Sequence, residues 1–278
     1  MELQKLLSAI ENLINDDVKV NSNKIQKGNQ ILTGISIGNG MFVPVVYMED
    51  FEELFKKSGY NEVARKMIET CNNADFPDVD IKEVTKFDYA KNNLMLCVSP
   101  IEIQQIGTQN NKVTIPYLDL DLYFRVNIND ATYIVTEQML TEWNVTKEEL
   151  LQITIETNIY VTKNMREMLK EIMGEMFDDS LEIPPEQEQT IITNNLGIYG
   201  ASALYNKSLL KEIADKYNND LFVIPSSIHE IIVVPVNCNS KYHMDEMIIE
   251  NNKTQIEPKE MLSNHVYIFH RDTMEIEW

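Results

Sequence analysis

The hydrophobic positions of the chain change period several times, and each change marks an element. Leu3, Leu6, Leu7, Ile10, Leu13 and Ile14 recur at helical spacing, which predicts an amphipathic helix over residues 2–15 with one buried stripe. A hydrophilic stretch follows. Two β-rich runs, 30–37 and 41–48, are joined by Gly38-Asn39-Gly40 and read as a hairpin. Glu49 and Asp50 then open a short helix that closes on Lys56, Lys57 and Gly59, so that side-chain charge complements the peptide dipole at both ends. Asn61 caps a second helix carrying Val63, Met67, Ile68 and Cys71.

Residues 73–91 are mixed and charged and assign no element, whereas 92–98 reads as a buried strand. Residues 117–128 and 131–135 predict a second hairpin, turning at Asn129-Asp130. Its first strand alternates, with Leu118, Leu120, Leu122 and Phe124 on the core face and Asp119, Asp121, Tyr123 and Arg125 on the wet face. A short helix over 136–143 follows, and Thr146-Lys147-Glu148-Glu149 is a capping box that starts another. Met165, Met168, Leu169, Ile172, Met173 and Met176 share one face of a helix over 164–177, and burial of that face against the core is the expectation. The same soft stripe would also suit an adaptable partner groove. Farther on, strands are expected near 190–193, 199–204, 221–224, 230–235 and 265–269, with helices near 207–217 and 244–250.

A hairpin followed by a helix thus recurs near residues 30, 117 and 190. The predicted class is α+β, with antiparallel sheets built from hairpin–helix units and helices packed on them. Pro184-Pro185, in an acidic connector, marks the candidate boundary. It divides an N-terminal α+β region (1–110) and a hairpin plus helices (111–183) from a C-terminal α+β region (186–278), unless all three form one continuous domain.

Composition narrows the function. The 278 residues include 24 basic and 44 acidic side chains, a net charge of −20, which argues against direct nucleic-acid binding. Cys71, Cys97 and Cys238 are too far apart for a zinc or disulfide framework. No apolar run is long enough to cross a bilayer, and an acid near the N-terminus is out of place in a secretory signal, so a cytoplasmic protein without membrane attachment is expected. Asparagine is abundant, 28 residues, in keeping with an AT-rich genome.

Two groups of residues are candidates for chemistry or binding. Ser226, Ser227, His229 and Glu230 place hydroxyl, imidazole and carboxylate within one short segment, the raw material of a nucleophilic hydrolase. In an extended chain, however, Ser227 and His229 share a face that Glu230 does not, and no nucleophile-elbow glycine pattern is present. The alternative is a turn whose polar groups satisfy backbone. The second group is an acidic run without lysine or arginine, formed by Glu171, Glu175, Asp178, Asp179, Glu182, Glu186 and Glu188. Such a run either keeps the protein soluble or imitates the charge density of a duplex and occupies a basic groove. Neither a phosphate-binding glycine loop nor metal-ligand spacing among the four histidines occurs, so no cofactor and no metal are expected.

Several strings also carry a resemblance: Tyr47-Met48-Glu49-Asp50-Phe51, residues 117–126, 131–136 and 142–146, and above all residues 221–230 with 262–267. Through these the chain resembles domain of unknown function 5688, an uncharacterised family of gut Firmicutes and their mobile elements. The resemblance implies a source but no reaction, cofactor or catalytic residue. The leading expectation is a non-enzymatic acidic protein that binds a protein partner with a basic surface, such as a phage or mobile-element counter-defence inhibitor of a host enzyme. A hydrolase using Ser226 or Ser227 with His229 is one alternative, and a housekeeping protein whose acidity serves solubility is another.

Overall fold

A computed structural model describes residues 1–27, 30–39, 43–73, 79–101, 112–129, 131–178, 180, 189–236 and 240–278. Among these residues, three antiparallel sheets with helices packed on them make an α+β fold.

The N-terminal part begins with α1 (Leu3–Glu11). It continues through β1 (Val20–Lys27), β2 (Gln30–Ile37) and β3 (Val45–Tyr47), which form a sheet in that order. The predicted hairpin is present, Ile35 lying opposite Val46, although Gly40 of its connector lies outside the described residues. The hydrophilic stretch before it, to which the sequence assigns no element, holds the edge strand β1 over residues 20–27. Its polar side chains hide the alternation that marks a half-buried strand. Helix α2 (Glu52–Asn72) is bent where the sequence placed a break, at Gly59, whose φ of 74° and ψ of −170° form a backbone region kept almost wholly for glycine. Leu6 and Ile10 of α1 meet Ile35, Val46, Val63 and Met67 in a separate core.

The short helices α3 (Ile81–Val84) and α4 (Phe87–Ala90) lead into the second sheet. Its strands are β4 (Leu94–Pro100), β5 (Thr114–Tyr117), β6 (Leu120–Ile128) and β7 (Ala131–Ile134), with β6 central. The hairpin β6–β7 turns at Asn129, whose φ is 55°; Asp130 lies outside the described residues. Leu120, Leu122 and Phe124 are fully buried, as the alternation predicts. The opposite face is not wet: Asp121 is 8% and Tyr123 7% exposed, because a loop carrying Ile198 and Tyr199 packs over it. Asp119 does not belong to the strand, since Leu118 takes a left-handed φ of 56° and turns the chain before β6 begins.

Thr136 caps α5 (Glu137–Trp143), and Thr146 with Glu149 forms the capping box of α6 (Lys147–Thr157). Edge strand β8 (Tyr160–Asn164) leads directly into α7 (Met165–Met173). The third sheet runs β13–β12–β10–β11–β9–β8. Its remaining members are β9 (Thr190–Asn194), β10 (Leu221–Ser227), β11 (Glu230–Pro235), β12 (Tyr267–Phe269) and β13 (Ile276–Glu277), interspersed with α8 (Lys207–Tyr217) and α9 (Lys241–Thr254). Along β10 the side chains alternate between two cores. Leu221 and Val223 join Leu96, Leu122, Leu210 and Phe269, whereas Phe222 and Ile224 meet Met244 and Ile248 of α9.

Two sequence expectations fail here. Residues 199–204 are not a strand but lead into a buried 3-10 turn over Gly200–Tyr205, so the third hairpin is absent and β9 pairs with β8 and β11 instead. The run of small residues Gly200, Ala201, Ser202 and Ala203 lets that turn sink into the core. Helix α7 is not core-facing: none of its residues is buried, and Ile172 is 74% exposed. Helical spacing records which residues share a face, and nothing in it states that another element covers that face.

Candidate functional site

Strands β10 and β11 form a hairpin in which Ser227 faces Glu230, with Ile228 and His229 at the tip. The chain therefore reverses within the candidate segment, and the extended geometry used to exclude contact does not apply. Ser226 and Ser227 sit at an irregularity in the β10–β11 pairing. Ser226 opens onto a groove of about 670 Å³ beside α9, lined by Met247, Asn251 and Gln255 among others. Ser227 is buried, and its Oγ accepts the backbone N–H of His229 at 3.0 Å. The hydroxyl thus meets the backbone of the histidine rather than its ring.

The His229 ring is fixed from two sides. Its Nδ1 accepts the backbone N–H of Tyr199 at 3.2 Å, which leaves the proton of the neutral ring on Nε2, 3.7 Å from Glu260 Oε1. Its face lies against Tyr199, with ring centroids 5.7 Å apart, and the Arg125 guanidinium covers Tyr199 at 4.8 Å. Tyr199 holds this position with a left-handed φ of 57°, an unusual backbone for a bulky residue and one that the surrounding packing must enforce. The Gly200 amide donates to His229 O at 3.0 Å, and Thr193 Oγ1 donates to the same oxygen at 2.8 Å. His229 and Glu260 line a cavity of about 410 Å³, together with Arg125, Lys112 and Lys259.

The other histidines serve different contacts. His265 Nε2 donates to Asp119 Oδ2 at 2.8 Å, and Tyr267 OH donates to Asp119 Oδ1 at 2.7 Å. The Asp119 hydrogen bond raises the His265 pKa above the ordinary imidazole value. Burial alone would raise the Asp119 pKa, but the hydrogen bonds from His265 and Tyr267 outweigh it and hold the carboxyl below its ordinary value. His270 lies between Asp220 at 3.0 Å and Glu277 at 3.3 Å, and its pKa is likewise raised, chiefly by Asp220. Cys71 and Cys97 are buried free thiols; Cys238 lies outside the described residues. Burial pushes the Cys97 thiol up to about 12, so it is not an activated nucleophile.

The acidic run is described only in part. Glu171 pairs with Lys163 at 2.7 Å, and Asp178 accepts the Ser180 hydroxyl at 2.7 Å and the Ser180 amide at 2.9 Å. Glu175 has a described backbone but not a described side chain, and Asp179, Glu182, Glu186 and Glu188 lie outside the described residues, as do Pro184 and Pro185. Beside the run, Ile172, Met173 and Met176 are 74%, 42% and 81% exposed, and Ile159 and Val161 at the edge strand are exposed as well. Sequence reasoning singled out His229 and the acids but not Arg125, Tyr199 or the Asp119–His265 pair. The alternation puts Tyr123 and Arg125 on the face opposite Leu122 and Phe124, but what covers that face depends on contacts far apart in the chain.

Among the described residues no helix is long and apolar enough to cross a membrane. Comparison with curated proteins and with solved structures returns no match. A model of a family of unknown function, DUF5688, matches residues 3–271, and with nearly the whole chain covered the protein belongs to that family.

Proposed function

We propose that this chain is a non-enzymatic acidic interaction protein that docks, through α7 and the carboxylates around it, onto a partner protein with a basic surface. The observation that carries this reading is the exposed apolar end of α7 and of the turn after it, with Ile172 at 74% and Met176 at 81%, while Met165, Met168 and Leu169 are half-buried. Large apolar side chains clustered in water are a common signature of an interaction site, and methionine side chains adapt to varied partner shapes. Glu171 and Asp178 flank the stripe, and the sequence adds Glu175, Asp179, Glu182, Glu186 and Glu188. Carboxylates so placed would steer a cationic surface toward the helix and set its orientation, while the apolar stripe would supply contact area. A source in Firmicutes or their mobile elements, which the resemblance implies, would make a host defence or nucleic-acid-handling enzyme the partner class.

The test is affinity capture from a clostridial lysate at low and at high salt, followed by reconstitution with the purified partner. Wild-type protein is expected to retain a partner with a basic surface at low salt and to release it at high salt. The double variant Ile172→Lys and Met176→Lys is expected to fold normally and lose the partner. Capture that is indifferent to salt and to both substitutions overturns the reading.

A further inference from the structure

Arg125 is a half-buried cation in a chain with 44 acids and 24 bases, yet among the described residues no carboxylate pairs with it. Its Nε donates to Thr132 Oγ1 at 2.7 Å and its Nη2 to Thr132 O at 3.3 Å, while its guanidinium face lies over the Tyr199 ring. All of these partners are neutral. They fix the guanidinium in place without cancelling its charge. Arg125 opens onto the cavity of about 410 Å³, a size suited to a small organic molecule.

The rest of the lining sorts into three zones. Lys112 also lines the cavity, its ammonium engaged 4.9 Å from the centre of the Tyr123 ring and 3.2 Å from Ser99 Oγ. Ile25, Val45, Val98 and Ile134 supply an apolar wall, the first two from the N-terminal sheet. Glu260 and the Nε2 edge of His229 make a polar end, where Lys259 is already paired with Glu257 at 2.8 Å. Among the described residues, Asp121 is 8% exposed on the same face of β6 and Asp50 acts electrostatically on Lys259.

We propose that this cavity is a binding site for a small organic oxyanion, a carboxylate or a phosphate monoester. The Arg125 guanidinium holds the charged group, and the hydrocarbon part packs on the apolar wall. A planar guanidinium already oriented by Thr132 and Tyr199 is suited to bidentate oxyanion recognition, because little freedom remains to be lost on binding. Glu260 disfavours negative charge at the far end and so sets the orientation of the ligand. This site is distinct from α7 and does not depend on the proposed partner.

The full chain is titrated by calorimetry with benzoate and phenyl phosphate as the anionic probes, and with benzyl alcohol and benzamidine as neutral and cationic probes of similar shape. Saturable binding of at least one anion, about tenfold or more tighter than of either control, is the expected result. Preference for benzoate or for phenyl phosphate identifies carboxylate or phosphate as the group recognised. Arg125→Gln is expected to weaken the anion about tenfold or more. Ile134→Trp, which fills the cavity and leaves every charge in place, is expected to abolish binding and guards against misfolding of the first variant. Lys211→Gln, on α8, is expected to change nothing. The proposal is overturned if neither anion saturates, if benzamidine or benzyl alcohol binds as well, or if anion binding survives Ile134→Trp.

Discussion

Asp119 and His265 stand 146 positions apart in the chain and 2.8 Å apart in space. Between them they tie the turn that opens β6 to the segment that opens β12. Tyr267, fully buried, donates to the second carboxylate oxygen, and His265 Nδ1 points to the Val266 carbonyl at 3.3 Å. With an acceptor beside each nitrogen, the protonated ring is favoured over the neutral one, chiefly through the Asp119 hydrogen bond.

This arrangement predicts a pH dependence of stability. The folded ring binds its proton more tightly than the unfolded one, so its contribution is complete below about pH 6.5 and is lost as pH rises through the raised folded value. Asp119 acts at the opposite end: its contribution is complete above the ordinary carboxylate range and is lost as pH falls through its lowered folded value. Both side chains retain some exposure, 24% for His265 and 31% for Asp119, so solvent screening keeps the effect modest. His265→Gln is expected to lower unfolding free energy by about 1–2 kcal/mol at pH 6 and by less at pH 9. Denaturant titrations of both proteins across that range check it, and an equal loss at the two pH values excludes the charged latch.

Gly200 shows how closely the loop before α8 approaches the β10–β11 turn. A Cβ built there would lie 2.7 Å from His229 O and closer still to Asn194 N and Thr193 Oγ1. Two of these contacts are backbone and cannot rotate away. Gly200→Ala is expected to destabilise by about 2–3 kcal/mol and to displace Tyr199 from His229. Gly197→Ala meets nothing within 4 Å, and only the strain of its φ of 69° applies, about 1–2 kcal/mol. Thermal unfolding of the two variants, with the His229 ring resonances as a local probe, separates crowding from backbone strain: only Gly200→Ala should move those resonances.

The exposure of α7 predicts an uncommon tolerance. Ile172→Gln is expected to change stability by no more than about 0.5 kcal/mol, because the side chain has little packing to lose. Leu210→Ala, on the buried face of α8, is expected to lose about 2–5 kcal/mol. Chemical denaturation of both variants provides the comparison. A loss above about 1 kcal/mol for Ile172→Gln would show that the stripe is covered.

The same contrast explains how much of the molecule the sequence discloses. Elements whose signal is local are legible: the capping box at Thr146 and Glu149, the bend at Gly59, and the core alternation of Leu120, Leu122 and Phe124. β1 is not, because a polar edge strand is held by the hydrogen bonds of β2 rather than by a hydrophobic period of its own. Nor is the candidate site. His229 is conspicuous in its segment, but its ring is positioned by Tyr199, thirty residues away, and the charge beside it comes from Arg125 on another sheet. Chain-distant contacts of this kind leave no periodicity to read.

Thr33 provides a last test, in the N-terminal sheet. It is 1% exposed, and its backbone N–H donates to both carboxylate oxygens of Glu49, at 3.0 and 2.9 Å. Its hydroxyl donates to Glu49 Oε1 at 2.8 Å and accepts from Lys24 Nζ at 2.6 Å. One carboxylate thereby anchors the 3-10 turn over Met48–Phe51 to β2, beyond the reach of the short strand β3, which pairs only with residues 34–36. Thr33→Val removes the hydroxyl but leaves the amide bonded, whereas Glu49→Ala leaves a nearly buried amide without its acceptor. The expected losses are about 1 kcal/mol for the first and about 1.5–3 kcal/mol for the second. Urea titration distinguishes them by the shift in midpoint at constant slope. If Glu49→Ala proves the milder change, the anchoring belongs to the Thr33 hydroxyl and Lys24, and the carboxylate is an exposed bystander.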